Sequence, residues 1–566
     1  MRTAVIAVLT GPQPVDGDGL LRAALTGLGV TVITADGPAA TARAVASASA
    51  AGTVALVDPR LAAHPHALRL ALLDPRWEAA HAPGILTVSG GARELLAAEL
   101  RAMPDLTGHR VDGFSPAARL TAPKPLLADE FAERLRAEGV PVHETVLPEG
   151  LVARLVEEPL SARKDVYAEI AAVDDEAIRL RRAVKGDDGL FTTYCVSPWT
   201  RYLARWLAKD GWTPNFVTTM SLLVALLGAG AAATGTRAGY VGTAVALYLS
   251  FALDCTDGQL ARYALQFSRI GSWLDATFDR VKEYAVYAGL AIGAVHSGHD
   301  RGVWLLAASA MVLQTLRHHV DFAYHESLRG QPVTEVRVTA ADAPSRSLGY
   351  WARKVVVLPI GERWALIAIL TALTSPRIVF SVLLIWGLLA LGYTTVGRVQ
   401  RSLRGSTDLA RVDGAIRTES AVNALRAMCD LPLAIRAAAR EPLTAKLGWL
   451  TPPTIQCVAY VVVLGLIVHD ALLGAAAFAF LGVVIYHHYD VVYRIRADAG
   501  QPPHWLSVAL GGNLGRSVLV VALGTAIGSG RTLSTVIWLL AAYLAVLAVG
   551  ESVRFWTRPA APVLPD

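Results

Sequence analysis

The stretch LDCTDGQLARYALQFSRIGSWLDATFD, Leu253 to Asp279, places four aspartates inside, or at the lip of, segments greasy enough to cross a bilayer. An aspartate at the bilayer centre costs about 2.5 to 3.5 kcal/mol on insertion scales, so such regular acids demand a purpose. Asp254 and Asp257 are three residues apart and share one helical face. Asp275 and Asp279 are four apart, one turn on from each other at the start of the next helix. The linker Arg262 to Ile270 is short enough to bring the two helix ends together, so the four carboxylates converge. Bare, they repel one another; divalent cations remove the conflict, and hard oxygen ligands suit Mg2+, Mn2+ or Ca2+. Such a site holds a polyphosphate through its metals, as in two-metal phosphoryl chemistry.

The residues between the acids fit that picture. Gly258, directly after Asp257, removes a side chain where a nucleotide can press on the helix backbone, and Ala261 continues the small surface. Arg262 offers a fixed fork of donors to phosphate oxygens. Gly271, one turn before Asp275, lets two helices approach closely. A carboxylate beyond the metal shell can take a proton from an attacking hydroxyl, and Asp279 is the candidate. Lys282, one turn on, either neutralises the acids or snorkels. The competing reading is a membrane transporter, or a catalytically idle scaffold, whose acids bind ions.

Outward from this stretch the chain divides by composition. Its 566 residues are 53% hydrophobic with a mean hydropathy of +0.42, too apolar for a purely soluble protein. Before about residue 185, strand-like runs (TAVIAVLT, VTVITAD, GTVALVDP, GILTVSG) alternate with helical stretches, which predicts a parallel sheet covered by helices in a Rossmann-like α/β domain. The opening MRTAVIAVLTG reads as a first strand and not as a signal peptide. Asp58, in LVDPR, reads as a turn or helix cap. Ser161 to Lys185 reads as one charged amphipathic helix.

Beyond it the apolar runs predict ten spans: Phe216–Gly235, Gly239–Ala261, Gly271–Val295, Val303–Ala323, Trp364–Thr374, Ile378–Val396, Pro453–Val468, Leu472–Tyr486, Leu510–Ile527 and Leu533–Val549. Loops on one side carry only single arginines (Arg237, Arg301, Arg377, Arg531). The other side holds RKVVVLPIGER, GRVQRSLRG and RIRADAG. By the positive-inside rule the soluble domain, both termini and the acidic site are cytoplasmic. The formal charge of +5 belongs to that topology and to anionic headgroups; no aromatic-plus-basic module for nucleic acid is present. The four cysteines are far apart, which indicates neither a disulfide framework nor a zinc site. HHVDFAYHESLRGQP, from His318, and HHYDVVYRIRADAGQP, from His487, suggest a partial internal duplication, but the acidic stretch has no second copy. His318, Asp321 and His325 read as a polar helix end at the headgroups. Arg353, Lys354 and Arg363 read either as acceptor-phosphate ligands or as positive-inside anchors.

Asp254-x2-Asp257-Gly258-x2-Ala261-Arg262-x8-Gly271-x3-Asp275-x3-Asp279 resembles the signature of the CDP-alcohol phosphotransferases at every defined position. The resemblance covers about Asp187 to Leu403 and implies a six-helix, usually dimeric membrane core. Such a core moves a phospho-alcohol group from a CDP-alcohol to a polyol or polyol-phosphate hydroxyl and releases CMP. It also implies two Mg2+ or Mn2+ ions on Asp254, Asp257, Asp275 and Asp279, with Asp279 doubling as base. Asn215 (in the TPN that opens the first span), Asp254, Gly258, Ala261, Arg262 and Gly271 would line the CDP group. KGDDGLFTTYCVSPWTRYLARWLAKDGWTPNFVT, from Lys185, resembles fusions of an inositol-phosphate cytidylyltransferase to a di-inositol-phosphate phosphate synthase. Here LTGPQPVDGDGLLRAAL lacks the GxGxR grip on a triphosphate, although Arg22 keeps a remnant, so the first domain reads as degenerate. The expected division is an α/β domain (1–160), interfacial helices (161–212), the phosphotransferase core (213–403), a linker (404–450) and a four-helix C-terminal unit (451–566).

Overall fold

The computed structural model describes residues 4–10, 19–35, 37–47, 52–103, 127–156, 160–186, 188–298, 302–329, 347–404, 419–431 and 443–558. They form two compact units. One comprises the residues before Lys185 together with Leu260–Ser268, and the other comprises Lys185–Gln259 and Arg269–Arg558.

The first unit is built on β1 (Val5–Leu9), β2 (Thr31–Thr34), β3 (Thr53–Val57), β5 (Ala79–Ala82), β6 (Ile85–Val88) and β7 (Val142–Glu144), in the order β2-β1-β3-β6-β5-β7. Side chains alternate across the sheet with a period of two. Val8, Val54, Leu56 and Leu86 pack on one face with α2 (Pro38–Ser47), α4 (Gly90–Ala102) and α5 (Leu127–Ala137). Ala7, Leu9, Val57 and Ile85 pack on the other with α1 (Gly19–Gly27) and α3 (Pro65–Leu72). The α/β expectation holds, but the sheet is mixed and not parallel. GILTVSG supplies β6, which runs antiparallel to both β3 and β5. The reversal is a tight hairpin through Pro83 and Gly84, whose φ of +77° suits glycine. A separate two-stranded sheet joins β4 (Leu61–Ala63) to β8 (Ala153–Leu155).

Asp58 forms a turn: its Oδ1 accepts from Arg60 N at 2.8 Å and Nε at 3.1 Å, and its Oδ2 from Nη2 at 3.0 Å. The glycine-bearing loop at 11–18 lies outside the described residues, whereas Arg22 donates to Thr34 Oγ1 at 2.6 Å. The single charged helix expected over Ser161 to Lys185 is two helices, α6 (Leu160–Ala171) and α7 (Asp175–Ala183). Asp174 breaks it by capping α7, its carboxylate accepting from Ala177 N at 3.0 Å.

The second unit is that of an integral membrane protein. Among the described residues seven helices are long and apolar enough to cross a bilayer, or eight if the bent pair Leu348–Val357 and Ile360–Leu373 is one span. They include α9 (Pro214–Ala233), α10 (Arg237–Ala264) and α15 (Pro376–Arg404), which follow the shorter α8 (Ser197–Lys209). The expected ten differs for two reasons. First, α11 (Arg269–His296) and α12 (Val303–Glu326) are long, but α11 carries Asp275, Asp279, Arg280, Lys282 and Glu283, and α12 carries Arg317 and Asp321. Second, the short fifth run is the second arm of the bent pair α13 (Leu348–Val357) and α14 (Ile360–Leu373), which turn by 69° at Leu358, φ +53°.

After α16 (Glu419–Met428) come α17 (Thr451–His469), α18 (Gly474–Arg496), α19 (His504–Leu510), α20 (Gly512–Ile527) and α21 (Arg531–Thr557). The α19–α20 joint also has a left-handed residue, Gly511 at φ +74°. In both joints an arginine follows five residues on and pairs with a buried acid, Arg363 with Glu283 and Arg516 with Asp430.

Packing of α9 on α11 depends on two glycines. A Cβ at Gly289 would lie 2.3 Å from Ala229 O, and one at Gly293 would lie 2.1 Å from Ala232 O, so the backbones touch as in small-xxx-small helix pairs. Gly289→Ala should therefore destabilise the unit by about 1–3 kcal/mol, seen as a lower thermal midpoint in detergent. An unchanged midpoint would show that the helices can separate without loss.

In the first unit burial pushes the His66 imidazole down to about 4 from 6.5, and Asp175 at 3.7 Å does not offset it. The unfolded chain then binds more protons between those pH values, so stability that is complete above 6.5 falls as pH drops towards 4. His66→Leu in the full chain should flatten this acid-side loss of thermal midpoint, and an unchanged slope would absolve His66.

Candidate metal and phosphate site

The α9 N-terminus is written in its sequence: Thr213 caps it, accepting from Phe216 N at 3.4 Å, and Pro214 fills the first turn, which leaves Asn215 next in line. Thr218, one turn further, donates from Oγ1 to Asp257 Oδ2 at 2.5 Å. Asp257 sits on α10 beside Asp254 and Gly258, and Asp275 enters from the first turns of α11. One carboxylate oxygen each from Asp254, Asp257 and Asp275 lies within 4.8 Å of the others. Asp257 is buried, Asp254 half-buried and Asp275 exposed, so the group opens to one side.

Asp279 adjoins that triad, its carboxyl against that of Asp254. The wholly buried Lys282 ammonium contacts Asp254 Oδ1 and lies 3.5 Å from Asp279 Oδ1, while Arg280 Nη2 is 3.8 Å from Asp279 Oδ2. The four acids expected to converge do so: three share one small volume, and Asp279 meets both Asp254 and Lys282. Asp279 Oδ1 is buried and accepts no hydrogen bond. Carboxylates at such spacing repel by on the order of 3–4 kcal/mol per pair, and one lysine cannot balance them. An all-oxygen set with surplus negative charge fits a hard divalent cation.

The other expected residues fall in different places. Gly258 and Gly271 lie on the same helices as the acids, half-buried. Ala261 and Arg262 belong to the segment grouped with the first unit, where Arg262 Nε donates to Ala183 O at 2.6 Å. Arg353 is exposed and donates to Gly349 O at 3.2 Å; Lys354 Nζ donates to Asp188 O at 3.2 Å. Arg363 is buried and holds Glu283 with Nη2 at 3.1 Å and Nε at 2.9 Å. Tyr287 OH donates to the same carboxylate at 2.8 Å.

His318 is not a headgroup-facing helix end: its Nδ1 lies 2.7 Å from Tyr489 OH and 3.3 Å from Arg280 Nη1. Sequence reasoning missed Thr218 and the Glu283–Arg363 pair. A glutamate in the middle of a long helix was the available signal, because a buried acid needs a cation.

Residues 212–394 match the family model for CDP-alcohol phosphatidyltransferase. Residues 394–566 match a family of unknown function, DUF5941. Similar proteins include a bifunctional IPC transferase and DIPP synthase of Aquifex aeolicus, 26% identical over 31% of this chain and 40% of that one. A phosphatidylinositol phosphate synthase of Mycobacteroides abscessus is 37% identical over 18% of this chain and 46% of its own. An archaetidylinositol phosphate synthase of Pyrococcus horikoshii is 31% identical over 16% and 48%. The chain spans less than half the length of the curated relatives it matches. The matched 212–394 segment contains the acids of the signature.

Lys282→Met should lower the thermal midpoint strongly in EDTA, since it strips the buried counter-charge from Asp254 and Asp279. Excess Mg2+ should restore much of the loss. Equal destabilisation with and without Mg2+ would separate the lysine from the cation site.

Proposed function

We propose that the chain is a metal-dependent CDP-alcohol phosphotransferase with its site on the cytoplasmic face, acting in phospholipid or polyol-phosphodiester synthesis. The observation that carries this reading is the Asp254, Asp257 and Asp275 triad, three acids from two helix ends within 4.8 Å, inside the family-matched segment. Asp254, Asp257 and Asp275 would hold Mg2+ or Mn2+, with Asp279 beside them. Bound there, the ions offset charge on the diphosphate.

The chain's own residues do the rest. Gly258 receives the cytidine diphosphate with Asn215 and Gly271. Thr218 fixes the Asp257 carboxylate by its hydroxyl, so that oxygen cannot swing away when the donor arrives. Asp279 takes the proton from the acceptor hydroxyl as that oxygen bonds to the β-phosphorus. The phosphoanhydride bond to CMP breaks, and its electrons leave on the CMP oxygen. Lys282, 3.5 Å from Asp279, holds that base in place. The donor is CDP-diacylglycerol or a CDP-polyol. An inositol-phosphate acceptor is favoured by the names of the relatives, all of them inositol-phosphate or IPC/DIPP enzymes. Its phosphate would meet Arg353 and Lys354, since Arg363 is committed to Glu283.

CMP release from a panel of CDP-alcohols, with and without Mg2+, tests the reading. Asp279→Asn should lose about 10²- to 10⁴-fold in rate while still binding the donor. Normal turnover in that variant would remove the base assignment. Substrate flux into liposomes without any CMP release would favour a transporter instead.

A further inference from the structure

The C-terminal region, matched by a family model of unknown function, touches the acid-bearing helix α11 at several points. Trp556 stacks on Trp273 with centroids 6.2 Å apart and planes at 15°. Tyr493 donates its hydroxyl to Ala276 O at 3.2 Å. Tyr489 places its ring 5.6 Å from the Arg280 guanidinium, and both groups meet His318 Nδ1, at 2.7 and 3.3 Å. Residues 273, 276 and 280 follow i, i+3, i+7 spacing and form one face of the helix; Asp275 and Asp279 project from another.

The gripping side chains are themselves held. Asp490 accepts from Trp556 Nε1 at 2.8 Å, Ser552 Oγ at 2.6 Å and, on its other oxygen, Arg494 Nε at 2.8 Å. Arg494 in turn pairs with Glu551 at 2.5 Å. Arg269, at the start of α11, lies over the Phe555 and Trp556 rings at 4.8 and 5.0 Å.

We propose that the C-terminal unit is a clamp on α11, with Tyr489, Tyr493 and Trp556 as positioning residues that set where Asp275 and Asp279 stand. This rests on the phosphotransfer reading of the acids. Misplacing a reacting group by about 1 Å can cost about 10²-fold in rate, and loss of a ligand's supporting shell weakens metal binding about 10- to 100-fold. A clamp of this kind therefore acts on kcat and on the cation together, with little effect on donor affinity.

The test uses the full chain in detergent with a Tyr489→Phe/Tyr493→Phe double variant, Trp556→Leu, and Trp556→Phe as the conservative control. Mn2+ affinity is read by electron paramagnetic resonance. Kinetics are read as CMP release from CDP-diacylglycerol with inositol phosphate. The double variant and Trp556→Leu should bind Mn2+ about ten-fold more weakly and lose about 10- to 100-fold in kcat at near-constant donor KM, while Trp556→Phe recovers both. A lower thermal midpoint with wild-type Mn2+ affinity and kcat would overturn the clamp and leave a merely structural contact. If the wild type binds Mn2+ but releases no CMP, phosphotransfer fails while the Mn2+ measurements still decide the clamp. If it binds no Mn2+, both fall.

Discussion

Mutual repulsion among Asp254, Asp257 and Asp275 is the constraint on which the second unit is organised. Carboxylates within 4.8 Å persist only if the backbone cannot relax and if positive charge is close by. The fold supplies both. Lys282 is buried outright, which a lone ammonium could not tolerate, and it survives there because Asp254 and Asp279 face it. Glycine contacts lock α11 to α9 at Gly289 and Gly293, and Ser221 Oγ on α9 donates to Ser250 O on α10 at 2.8 Å, so Thr218 stays in register with Asp257. Three carboxylates brought to one small volume form an all-oxygen set of the kind that suits a hard divalent cation.

The same accounting explains the second buried polar group along α11. Glu283 lies one turn beyond Asp279, deep in the helix, and is matched by Arg363 and Tyr287. Removing a buried acid's partner is far costlier than the pair is stabilising. The pair therefore fixes geometry: it ties α14, just after the 69° bend, to the helix that bears the catalytic candidates. An arginine that reads in the sequence as a phosphate ligand or anchor is in this way used as a fastener.

How much was legible follows from how local each signal is. Asp254, Asp257, Asp275 and Asp279 could be read because their spacing is a property of two adjacent helices, and so could the α/β alternation of the first unit. Strand β5 could not: WEAAHA has the alanine content of a helix, and only pairing with β6 and β7 makes it extended. The direction of β6 was equally hidden, since it depends on a two-residue reversal at Pro83 and Gly84. Thr218 escaped notice because its partner is 39 residues away, and the Arg363–Glu283 pair because 80 residues separate its members. The break at Asp174 was written in VDDE but was outweighed by the amphipathic pattern around it.

The polar interior of the C-terminal unit argues for its role by contrast. Asp430 faces Arg516, His487 and His488; Asp490 faces Arg494, Ser552 and Trp556; Glu551 faces Arg494. These acids are matched by cations or donors from their own unit. None of them belongs to a three-acid cluster like the Asp254 group, which is the only such metal-capable set among the described residues. Matched buried charges specify one packing and do no chemistry. A unit whose buried acids are satisfied internally, and whose aromatic side chains reach outward to α11, has the physical character of a support.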